Sequence, residues 1–113
     1  MFLFRKTPKF PNDADGDALR RMWKQGKDLS KPHDVDFFVS IGSEEDGMKL
    51  QPLVEAQGFQ CALECDDDSE KWTLYCTKRM LLEYQQLLDT QALLHKLSKP
   101  FGGYSDGWGT FGV

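Results

Sequence analysis

The stretch Asp34 to Ile41 most constrains what this chain can fold into. Val35, Phe37, Val39 and Ile41 alternate with Asp36, Phe38 and Ser40, the period of a strand with one face turned to a core. A second alternating run, Phe59 to Cys65, is followed by the polar, turn-prone Asp66-Asp67-Asp68-Ser69-Glu70. Trp72 to Thr77 then alternates again. Two strands around a five-residue loop predict a β-hairpin, with Cys61 and Cys76 as cross-strand neighbours.

Helical signals separate these strands. Ser43 can cap a helix whose first turn holds Glu44, Glu45 and Asp46, whose inner face draws on Met48, Leu53, Val54 and Ala56, and which ends at Gly58. Pro52 removes a backbone donor, so a kink or a restart is expected there. Met80, Leu81, Tyr84, Leu87, Leu88, Ala92 and Leu94 share one arc of a long helix that runs to Pro100. Leu82, Leu93 and Leu97 lie off that arc and suggest a second contact surface. Upstream, Asp13, Asp15 and Asp17 suit the start of a helix carrying Leu19, Met22 and Trp23 and stopping at Gly26. Residues 1–12 read as an N-terminal arm, and 13–113 as one domain.

If the glycine-rich tail supplies a last strand, the order after the first helix is β-α-β-β-α-β. That order predicts an α+β, ferredoxin-like split βαβ sandwich: a four-stranded antiparallel sheet, two helices on one face, and an extra N-terminal helix. The docking place of the extra helix is open. The simplest expectation is that it covers Phe38 and Tyr75 on the sheet's other face.

Charge narrows the function. With 14 Lys and Arg against 18 Asp and Glu, the net charge of −4 argues against a general nucleic-acid binder. Residues 1–31 carry eight Lys and Arg against four Asp, while residues 32–113 carry six against fourteen Asp and Glu. Such a dipolar chain can steer a basic partner. No apolar run approaches bilayer length, and Met1 to Phe4 precede rather than follow Arg5-Lys6, the reverse of a secretory signal. A cytoplasmic protein is expected.

Chemistry-bearing motifs are sparse. His33 and His95 belong to no catalytic pattern, and the three cysteines form no CxxC pair. Asp66 to Glu70 lacks the spaced ligands of a calcium loop. No enzyme, metal or cofactor is expected. Phe38 and Tyr75 suggest an RNA-stacking face, but Lys71 to Lys78 lacks the Gly-aromatic-Gly-Phe pattern of the RNA recognition motif.

The tail, Tyr104-Ser105-Asp106-Gly107-Trp108-Gly109-Thr110-Phe111, is unlike a routine strand. Trp108 can plug the core or face a partner, and the residues alone leave both open. This string, with Asp15 to Arg21 and Pro32 to Val39, resembles the regulator of ribonuclease activity B (RraB) family over roughly Asp13 to Phe111.

The resemblance implies the same fold and a non-catalytic protein that binds ribonuclease E away from its active site, lowering its action on some transcripts. The family's naming inhibitor looks to carry a long acidic C-terminal extension, whereas this sequence ends at Val113. Acidic contacts are therefore expected from Ser43 to Asp46 and from the hairpin tip. The expected partner-binding residues are Tyr104, Asp106, Trp108 and Phe111 in the tail, with Asp66, Asp67, Asp68 and Glu70 at the tip. The alternatives are an RNA-binding module and a toxin-neutralising domain.

Overall fold

The structure, a computed structural model, describes residues 9–110. Its central strand β1 (Pro32–Ile41) begins two residues before the alternating pattern. On one side it pairs antiparallel with β3 (Trp72–Leu81) along its whole length, from Pro32↔Leu81 to Ile41↔Trp72. On the other it pairs antiparallel with β4 (Tyr104–Thr110), and β2 (Gln60–Cys65) closes the far edge against β3. The order β2-β3-β1-β4 is that of the split βαβ sandwich. Cys61 and Cys76 are register partners, as the hairpin spacing predicts, and both are free thiols.

Alternation sorts the sheet into two faces. Val35, Phe37, Val39, Ile41, Leu74 and Cys76 point into the core, where they meet Leu50 and Val54 of α2 (Glu44–Glu55) and Leu87 and Leu94 of α3 (Tyr84–Ser98). Phe37 and Phe59 stack edge to face with centroids 6.2 Å apart.

Several expectations need correction. Met80 and Leu81 belong to β3, not to the long helix. They pair with His33 and Pro32, and the early start of β1 extends the ladder through them. Leu82 is consequently a core residue ahead of α3, and Leu97 also packs against the core, so neither marks a second surface.

The inner face of α2 is Gly47, Leu50 and Val54, while Met48, Leu53 and Ala56 are exposed. Gly47 sets that face. A Cβ there would lie 2.6 Å from Leu63 Cδ1, so any larger residue would have to push the Leu63 side chain aside for the helix to sit this close to β2.

Pro52 neither ends nor restarts α2. It sits on the exposed side, next to the exposed Met48 whose carbonyl it leaves without a helical donor.

The extra helix, α1 (Ala14–Lys24), docks by its acidic first turn. Asp13 caps it, accepting from the Gly16 N–H at 2.8 Å, and also accepts from the Tyr84 hydroxyl. Asp15 Oδ1 accepts from Gln91 Nε2 at 3.2 Å and from Trp108 Nε1 at 2.6 Å, and Leu19 enters the core. These bonds seat α1 beside α3 on the helical side. It does not cover Phe38 and Tyr75 as expected, because its carboxylates find their donors on α3 and β4.

The Tyr84 hydroxyl, seconded by the Gly16 N–H, holds the Asp13 carboxyl below its ordinary range. A folded-state pKa below the unfolded one adds stability above the unfolded value, and that stability is lost as pH falls through the folded value. Tyr84→Phe is therefore expected to raise the Asp13 pKa toward the ordinary carboxylate value in an NMR carboxyl titration.

Candidate protein-binding surface

The tail and the hairpin tip reach the surface by different routes. In β4, Tyr104 opposes Ser40 and is 47% exposed on the face away from the helices. Ser105 opposes Val39, and its N–H donates to His95 Nδ1 at 3.3 Å. The register then slips, so that Asp106 and Gly107 together face Phe38. Gly107 sits at φ 103, backbone that a side chain strains to adopt, and this bulge explains the glycine at the centre of the motif. Trp108, beyond the bulge, opposes Phe37 and packs half-buried against the core.

The bulge therefore splits the predicted site. Tyr104 and Asp106 are exposed, whereas Trp108 ties β4 to α1 through Asp15. Phe111 lies outside the described residues.

At the hairpin tip, Asp66 organises its own loop. Its carboxylate accepts from Ser69 Oγ at 2.9 Å and from the Asp68 N–H at 3.0 Å, and these two bonds, the first foremost, lower its pKa. Asp67, Asp68 and Glu70 are left exposed. The tip leaves the sheet where Cys65, Trp72 and Ile41 lie in one register row, beside Tyr104 and the first turn of α2. The exposed Cys65 thiol registers this crowding. Its pKa is raised by desolvation first, then by the charges of Asp67, Glu70, Asp66 and Glu44.

The dipole written along the chain is thus also a dipole in space. Acids collect at the Ile41 end of the sheet. The basic C-terminal turn of α1 lies toward the Pro32 end, where Lys27 Nζ donates to Thr110 Oγ1 at 2.8 Å.

Both histidines are engaged by the backbone. His33 Nε2 lies 2.8 Å from the Asp28 carbonyl oxygen, and His95 Nδ1 takes the Ser105 N–H. Among the described residues no group of three or more His, Cys, Asp or Glu side chains is placed to hold a metal, and no helix is long and apolar enough to cross a membrane.

Sequence reasoning missed Asp15, whose first-turn position suggested only a favourable charge near the helix start, and Glu64, exposed on the outer face of β2. Nothing local signals the first, because its indole partner lies 93 residues away. The second could have been found from the alternation of β2.

Fold and surface together define a class, a small two-layer α+β domain that presents aromatic and carboxylate side chains on its exposed strands. The family model described as regulator of ribonuclease activity B matches residues 12–110, and the chain belongs to that family. No curated protein matches it.

Proposed function

We propose that this chain regulates RNA degradation by binding a ribonuclease rather than by chemistry of its own, and that its target is a ribonuclease E-type endonuclease of the cytoplasm. One observation carries the reading. A member of a ribonuclease-regulator family gathers the acids of the hairpin tip and of α2's first turn at one end of its sheet, beside the exposed Tyr104.

Proteins that handle RNA present cationic surfaces to phosphate, and an acidic end is attracted to the same surfaces. Exposed acids chiefly speed encounter and reject wrong partners, whereas a half-open tyrosine adds contact area. Tyr104, Asp106, Asp67, Asp68 and Glu70 are the contact residues in this reading. Trp108 supports them from behind by holding β4 against α1.

The test is RNA cleavage by the purified endonuclease of the same cell. Cleavage slows in proportion to added chain if the reading holds. Cleavage unaffected by a saturating excess of the chain would sink it.

A further inference from the structure

The acidic end of the sheet has a counterpart that the regulatory reading does not use. The last turns of α1 and the loop after it, residues 20–31, hold five Lys and Arg against one acid, Asp28. Two of the five are fixed in place. Arg20 pairs with Asp17 at 2.5 Å and donates to the Phe10 carbonyl at 3.1 Å, and Lys27 Nζ donates to Thr110 Oγ1 at 2.8 Å. Arg21, Lys24 and Lys31 are exposed, and their charged groups have no hydrogen-bond or ion-pair partner among the described residues.

Arg21 and Lys24 stand three apart and are neighbours on the outer side of α1, where with Ala14, Asp17 and Arg20 they line a shallow depression of about 460 Å³. Cations in a last helical turn complement the helix dipole, which accounts for part of this pattern. It does not account for Lys27 and Lys31, which lie beyond the helix and keep the same sign. The negative net charge is no obstacle at this distance. Lys27 is anchored at Thr110, level with Val35, and Ile41 lies six residues further along β1, or about 20 Å. That is more than two Debye lengths at physiological salt, so the acids at the Ile41 end do little to cancel the field of these cations.

We propose that the outer face of α1's C-terminal half, with Arg21 and Lys24 at its centre, binds the phosphate backbone of RNA. The choice of RNA over an acidic protein segment rests on the regulatory reading above, since a chain that contacts a ribonuclease works beside that enzyme's substrate. The groups suit phosphate: a guanidinium fork takes two of its oxygens, and an ammonium adds a point charge. The exposed residues of this face, Arg21, Lys24 and Gln25, include no aromatic ring on which a base could stack. Binding is therefore to the backbone and indifferent to sequence. The chain then meets the enzyme with one end and the transcript with the other.

The experiment is fluorescence anisotropy of a labelled ten-nucleotide oligouridine titrated with the full chain, from about 50 to about 200 mM salt, with the peptide (Glu)₁₀ as competitor. The proposal predicts saturable binding, with log K falling against log salt at a slope of about −2 to −3, as three or four phosphate contacts would give. The Arg21→Gln/Lys24→Gln variant should lose about tenfold in affinity at the lower salt and flatten the slope by roughly 1.4. Gln keeps nearly the helix propensity of Arg and Lys and both positions are exposed, so this variant should melt as the wild type does. A Lys96→Gln/Lys99→Gln control removes the same charge at the C-terminal end of α3 and should leave the affinity unchanged.

No binding at the lower salt, unchanged affinity in the Arg21→Gln/Lys24→Gln variant, an equal loss in the control, or displacement of the RNA by an equal concentration of (Glu)₁₀ would each overturn it. The two readings fail separately. Cleavage slowed by a chain that binds no RNA removes the RNA site and leaves the regulation, whereas RNA held by Arg21 and Lys24 with cleavage unaffected does the opposite.

Discussion

Phe37→Ala is expected to destabilise the domain by about 3–5 kcal/mol, as truncations of fully buried aromatics do. Phe37 has no exposed surface and sits mid-way along the central strand, with Cys76 opposite on β3, Trp108 opposite on β4, and Phe59 stacked on its edge. The cavity left by truncation would touch every layer of the core, so collapse around it is hard. For a domain with a total stability of about 5–15 kcal/mol, such a loss leaves a sizeable unfolded population. Urea denaturation reads it directly as a fall in midpoint at constant slope. Phe38→Ala, one residue on and facing outward, should cost far less. Equal losses at the two positions would mean that the faces of β1 are assigned wrongly.

The second large effect is expected at Trp108. Trp108→Ala removes a half-buried indole from the core edge and the donor at 2.6 Å from Asp15, for a cost of about 3 kcal/mol or more. Trp108→Phe restores part of the packing but leaves Asp15 with the longer bond from Gln91, so an intermediate loss of about 1–3 kcal/mol is predicted. Hydrogen exchange identifies the mechanism. Protection should fall first in α1, because the Asp15 link helps hold that helix on α3 and β4. A Trp108→Ala protein with undiminished stability and full protection of α1, yet unable to bind its partner, would instead put the indole in the interface.

These two neighbours in the β1–β4 ladder show how far the sequence could be read. The faces of β1 followed from simple alternation, since a strand has only two sides and Val35, Phe37, Val39 and Ile41 choose one. Once the hairpin and the helices were placed by the same periodicities, the order of elements left few topologies.

The errors fall where hydrophobicity is a poor guide to burial. In α2 the reading weighted Met48 and Leu53, yet the helix turns on Gly47, a residue buried because it lacks a side chain. Met80 and Leu81 fit a helix arc and a strand end equally well, and pairing with Pro32 and His33 decided between them.

The site was half legible. The tail drew notice for its unusual residues, but a β-bulge at Gly107 determines which of them face outward, and a bulge depends on the partner strand. The seat of α1 rests on hydrogen bonds that Asp13 and Asp15 accept from residues more than 70 positions away. Local patterns cannot encode these.

The central claim is that regulation works by contact between the acidic end of the sheet, beside the exposed Tyr104, and the ribonuclease. The most direct measurement is the initial rate of RNA cleavage by the purified endonuclease, with wild-type chain and with the Asp67→Lys/Asp106→Lys variant, both substitutions at exposed contact positions, side by side. Wild-type chain is predicted to slow cleavage, with the double variant needing at least about tenfold more protein for the same effect. Cleavage unchanged by the wild-type chain, or slowed equally by both proteins, would contradict the account.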